Sequence, residues 1–321
     1  MVHLDFVWVG SRGSFLLYQL RGECEYSADM MRQIMEINGE HPWTRRRWLR
    51  ASGATAALAL CDLFSGSGPL HQPRCATAAA RWHDERQLPG LVCHADFSLD
   101  LETEALEAVG ELPTTLQRQL RLPGEHDDIH LFLFARQKTY QQYLEAYFPR
   151  LPRRPAHYVR ERGPGMILAV RGPQLATDLR HEFTHALLND RHVGLPLWLD
   201  EGLAEYFELP ADDRAFKNPY LGPCRQAAQR GRRLPTLEEL EAWQEPRQLQ
   251  GDDYRHAWSW IHFLLHGPPA AQAELIRYLH ACRRRPAGVA TAATSPSWAQ
   301  ELRARWPEID SEFRRHWQRM V

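Results

Sequence analysis

Residues 175–188 read LATDLRHEFTHALL and residues 195–208 read LPLWLDEGLAEYFE. In the first segment Leu179, Phe183, Ala186 and Leu187 supply the apolar side of a helix over Leu175 to Leu188. On such a helix His181 and His185 differ by about 40° in direction and about 6 Å in height, so both rings can reach one metal ion. Glu182 projects about 100° from His181, near the place of a metal-bound water. A catalytic zinc takes three protein ligands and keeps one position open, so a third ligand has to come from elsewhere. After Gly194-Leu195-Pro196 a second helix is predicted from about Trp198 to Glu208, ended by Pro210. Glu201 opens that helix and is the candidate third ligand. Glu205 lies one turn on and shares its face, where it can accept the outer ring N–H of a metal-bound histidine.

Working outward, Val92 to Phe97 and Ile129 to Phe134 read as short apolar strands. Ala156 to Arg160 and Met166 to Val170 read as two strands joined by Gly163-Pro164-Gly165, a hairpin signal. Leu101 to Leu120 reads as a helix that breaks near Gly110–Pro113, and Lys138 to Phe148 as an amphipathic helix. From Leu234 onward the pattern is helical. Thr236 followed by Glu239 is helix-start grammar, and helices are predicted at Tyr254 to Leu265, Ala270 to Arg284 and Ser297 to Met320. Pro286 to Pro296 reads as a small-residue linker. The fold class expected is α+β: a small mixed sheet with the HExxH helix, then a helical C-terminal half.

The first 80 residues read as an address. Residues 44–50 are Thr-Arg-Arg-Arg-Trp-Leu-Arg, followed by a small-residue apolar run from Ala51 to Phe64 and a Ser/Gly/Pro patch from Ser65 to Pro73. A basic start, a short apolar run and a small-residue exit follow signal-peptide grammar. The arginine run resembles the twin-arginine export signal, with Ala76-Thr77-Ala78 as the cleavage site. Export to the periplasm is the expectation, with a cytoplasmic location as the alternative. Met30, Met31 or Met35 can serve as the start, which would make residues 1–29 a start-site artefact. The domains expected are therefore 1–80 as extension, 81–210 with the zinc motif, and 211–321 as a helical part completing the cleft.

Composition narrows the classes. The chain has 321 residues and a net charge of −1, without the basic excess that nucleic-acid binding usually shows. No apolar run reaches the roughly 20 residues of a spanning helix, so stable membrane insertion is not expected. The six cysteines form no CxxC pair, which argues against a thiolate zinc site. After cleavage Cys93, Cys224 and Cys282 would remain, enough for one disulfide. No G-x-S-x-G elbow is present, which disfavours a serine hydrolase.

HEFTH followed by LPLWLDEGLAEYFE resembles the gluzincin metallopeptidases, and within them the bacterial peptidase MA-like group. The resemblance runs from about Cys93 to Gly267. It implies a zincin-like fold, one Zn2+ ion held by His181, His185 and Glu201, Glu182 as catalytic base and Glu205 behind the ligands. It also implies that Met166 to Val170 is the edge strand on which an extended peptide substrate pairs. A Tyr or His donor for the oxyanion is expected some fifty residues past Glu201, which leaves Tyr254 and His256 as candidates. The chain lacks the G-x-M-E-N segment of the aminopeptidase N branch, which favours internal cleavage of a peptide or protein substrate. A zinc-binding domain without activity, and a zinc amidase or peptidase acting on cell-wall peptides, remain as alternatives. The oligomeric state is not legible.

Overall fold

The computed structural model describes residues 8–10, 82–124, 126–160, 163–189, 194–243, 249–284 and 297–320. The expected export signal, its cleavage site and the linker at 286–296 lie outside the described residues. Strand β1 is Trp8–Gly10, β2 Asp84–Leu88 and β3 Leu91–Ala95. A 3-10 turn at Leu99–Glu102 leads into helices α1 (Thr103–Gly110) and α2 (Leu112–Leu120). Then come β4 (Ile129–Phe134), α3 (Gln137–Tyr147), β5 (Ala156–Arg160), β6 (Met166–Val170), α4 (Leu175–Leu188) and α5 (Leu197–Phe207). The rest is helical: α6 (Leu221–Gln229), α7 (Leu237–Glu241), α8 (Gly251–His266), α9 (Pro269–Arg283), α10 (Trp298–Arg305) and α11 (Ile309–Arg319). The described residues are thus mixed α and β, with their strands in one sheet and the C-terminal half helical.

The sheet runs β1-β5-β6-β4-β3-β2. β3, β4 and β6 are parallel; β2, β5 and β1 are antiparallel to their neighbours. Pro89 and Gly90 turn β2 into β3, with Gly90 at φ 72°, the left-handed conformation a tight turn demands. Alternation along the strands separates two faces. Leu91, Cys93, Ala95, Ile129, Leu131, Leu133, Tyr158, Ile167 and Ala169 belong to the main core, to which α4 contributes Leu175, Leu179 and Phe183. The opposite face carries His94, His130, Phe132 and Phe134, and there Tyr143 of α3 lies against Phe132 and Phe134.

Two expectations are corrected. β6 bonds to β4 on one side and β5 on the other, so Met166 to Val170 is an inner strand with no free backbone edge. β5 follows β6, and β1 closes that end of the described sheet, pairing Gly10 with Tyr158. The helix expected from Ser297 to Met320 is two helices, because Pro307 lacks an N–H and interrupts the ladder after α10. Cys93, Cys224 and Cys282 are buried thiols in three separate elements, and no disulfide joins them.

α5 has every residue from Trp198 to Phe207 buried, as suits a helix enclosed by protein on all sides. It packs along α8. Gly202 permits the close crossing: a Cβ there would sit 2.8 Å from Ile261 Cγ1 and 2.9 Å from the Ala257 carbonyl oxygen.

Candidate metal centre

α4 and α5 bring His181, His185 and Glu201 to one point, all three buried. The Nε2 atoms of His181 and His185 are 3.1 Å apart. Glu201 Oε2 stands 3.5 Å from His181 Nε2 and 3.8 Å from His185 Nε2. These three separations form a triangle whose corners all lie about 2.0 Å from its centre, the length of zinc–nitrogen and zinc–oxygen bonds. Both carboxylate oxygens of Glu201 are buried without a hydrogen bond of normal geometry. A carboxylate taken out of water and left so costs several kcal/mol, roughly, and a cation at the centre of the triangle removes that cost. The residues present therefore fit a divalent ion.

The outer ring nitrogens are held by carboxylates. His181 Nδ1 is 3.0 Å from Glu208 Oε2, and His185 Nδ1 is 2.9 Å from Asp200 Oδ2. Asn189, at the end of α4, donates from Nδ2 to the His185 carbonyl and to Asp200 Oδ1, tying the two helices together. Glu205, expected in this role, accepts from the Tyr220 hydroxyl at 3.0 Å and stays within 4.8 Å of both His181 and Glu208. Burial works against a charged His181, but the carboxylates of Glu201 and Glu208 outweigh it and raise its pKa well above the ordinary value.

Glu182 is also buried, and its Oε2 accepts the Tyr158 backbone N–H at 2.7 Å. Pro155 accepts from Val170, so along β5 the odd-numbered residues face β6 and Tyr158 faces outward. The candidate base thus sits beside β5, on the side where β1 pairs. Burial raises the Glu182 pKa strongly, against the opposing pull of His181, the Tyr158 N–H and Arg154.

The two donor candidates separate. Tyr254 is buried, and Arg154 approaches its hydroxyl; the same guanidinium feels the carboxylates of Glu201 and Glu182. His256, two residues on, is half-buried, and after burial the charges that act on it most are Arg255, Asp253, Asp252 and Glu239. Arg154 carries little signal in the sequence. It sits in the loop before β5, and its only signal was a cation two residues ahead of a strand.

No protein-family model matches this chain, and no curated protein matches it. Among the described residues no helix is long and apolar enough to cross a membrane.

Proposed function

We propose that this protein is a zinc-dependent peptidase of gluzincin type that cleaves peptide bonds internally. The observation that carries this reading is the His181–His185–Glu201 triangle, with its buried and otherwise unsatisfied carboxylate, beside a buried Glu182. Zinc, when bound, polarises the scissile carbonyl and makes water acidic enough to attack at neutral pH. Glu182 takes the proton from the attacking water and passes it to the leaving nitrogen. The Tyr158 N–H fixes the Glu182 carboxylate. Asp200 and Glu208 keep the outer nitrogens of both histidines protonated, leaving the inner nitrogens as neutral donors.

The Tyr254 hydroxyl and the Arg154 guanidinium supply donors for the negative charge that develops on the carbonyl oxygen. An extended peptide that displaces β1 would pair with the backbone groups of β5 freed beside Glu182. Trp8–Gly10 lies on that same edge, so a substrate takes its place, and removal of residues 1–29 should leave activity equal or higher.

The test is metal analysis and a casein-type hydrolysis assay on the wild type, Glu201→Ala and Glu182→Gln. Near-stoichiometric zinc and chelator-reversible hydrolysis are expected in the wild type, with zinc largely lost in Glu201→Ala. Glu182→Gln should keep its zinc and lose hydrolysis. Zinc without hydrolysis in the wild type would instead support a metal-holding interaction domain.

A further inference from the structure

α8 repeats the four-residue histidine spacing of the metal centre. His262 and His266 lie on one side of it, their ring centroids 4.8 Å apart. A third ring comes from the C-terminal helix α11: His316 Nε2 is 3.0 Å from His262 Nδ1, with ring centroids 5.2 Å apart. Two imidazole nitrogens on one zinc ion stand about 3.3 Å apart when each bond is about 2.0 Å in tetrahedral geometry. The His262–His316 separation is close to that.

The surroundings suit nitrogen ligands. His262 is fully buried, packed against Trp258, Trp317 and the edge of Phe216. Its Nε2 has no hydrogen bond of full geometry, with the Ala215 carbonyl the backbone acceptor that acts on the ring. With Nδ1 turned to His316, the ring proton falls to Nε2, the tautomer a metal-bound imidazole takes when a carbonyl stands behind it. Burial and the neighbouring rings keep His262 and His316 neutral at pH 7, as ligands must be. His266 is exposed, and its Nε2 is 2.7 Å from the Tyr206 hydroxyl. As placed, His266 bonds to Tyr206 and does not converge with the other two rings, so the site requires a second rotamer of His266. Phe216, 60% exposed, meets both His262 and His266 in edge-on ring contacts.

We propose that His262, His266 and His316 form a second site for a nitrogen-preferring divalent ion of the zinc and nickel class, which clamps α11 onto α8. The donor set is three neutral nitrogens with no carboxylate, so its ion is held more weakly than one at the first centre and exchanges readily. The site does not depend on the catalytic reading.

The test is equilibrium dialysis of the full-length protein against buffered Zn2+, and separately Ni2+, followed by elemental analysis. Two equivalents are expected in the wild type with at least one of these ions. His266→Gln and His316→Gln should each retain one equivalent and full hydrolytic activity, and His185→Ala should also retain one, the second-site ion. One equivalent in the wild type with both ions, lost in His185→Ala, overturns the second site and leaves the first standing. Two equivalents that survive both glutamine variants also overturn it. Because His266 is exposed, its variant should keep the wild-type thermal midpoint without metal, and the count in that variant alone decides the matter if His316→Gln fails to fold.

Discussion

Two histidine pairs in this chain share one spacing and differ in everything around it. His181 and His185 on α4 are ringed by acids: Glu201 in front, Glu208 and Asp200 behind. His262 and His266 on α8 are ringed by Tyr206, Phe216, Trp258, Trp317 and a third histidine. The acids raise the His181 pKa well above its usual value despite burial. The aromatic setting pushes His262 down to about 2, burial first and its two histidine neighbours next. The four-residue spacing decides only which nitrogens can converge. The neighbours decide the charge at that point, and with it how tightly a dication is held and whether a base stands ready beside it.

The largest effect expected from this contrast is at Glu182, which has no counterpart in the second cluster. Glu182→Gln should lower the hydrolytic rate by about 10²- to 10⁴-fold, the usual contribution of a positioned general base, with zinc content unchanged. A loss under tenfold would place the base elsewhere. Next come the acids behind the rings. Asp200→Asn and Glu208→Gln should each weaken zinc binding by about 10- to 100-fold, read by competition with a chromogenic chelator. Glu205→Gln should cost less, since its carboxylate bonds to Tyr220. Equal losses at positions 205 and 208 would hand the ring-orienting role back to Glu205.

That last comparison shows where the sequence stops being readable. His181, Glu182, His185 and Glu201 are legible because helical spacing is local and two adjoining helices carry all four. Thr236 and Glu239 are legible for the same reason, and they form the expected capping box. Glu208 was within reach, because seven residues past Glu201 returns to nearly the same helix face, about 20° off. Glu205 lies one turn before it on that face and also stays close to His181. Pro307 was likewise in plain sight as the break between α10 and α11. The order of the strands is a different matter. β5 and β6 both read as short apolar strands, and which of them lies next to β4 depends on a pairing between residues more than thirty positions apart. β2, Asp84–Leu88, is polar and alternates between half-buried and exposed, so hydrophobicity gave no reason to expect it. The approach of His316 to His262 spans 54 residues, and nothing local announces it.

The crossing that supports the first centre can be stressed directly. In Gly202→Ala the new methyl group would meet the Ala257 carbonyl oxygen at 2.9 Å, a backbone atom that cannot turn aside. α5 must then shift from α8. Overpacking of this kind costs about 1–3 kcal/mol. Glu201 is the neighbouring residue, so zinc affinity should fall together with the urea midpoint. A stability loss with unchanged affinity would show that the metal centre is held by α4 alone.

The smallest effect distinguishes the two clusters by pH. His262 and His316 have folded-state pKa values pushed to about 2 and about 4, and His130 to about 4, in each case by burial first. Unfolded, each takes up a proton near pH 6.5. Between about pH 6.5 and 4 the unfolded chain therefore binds more protons than the native one, and stability rises with pH across that window. Acidification from pH 7 to 5 should lower the urea midpoint. His181 and Glu182, both raised, pull the opposite way in the metal-free protein, so the measurement is made with zinc bound at the first centre. Each depressed histidine contributes at most about 1.4 kcal/mol per pH unit. Replacing His316 by Gln, which cannot take up a proton, should flatten the profile by up to that slope. An unchanged slope in His316→Gln would mean that this ring is protonated as readily in the folded chain as in the unfolded one. The second cluster would then differ from the first in its partners but not in its charge.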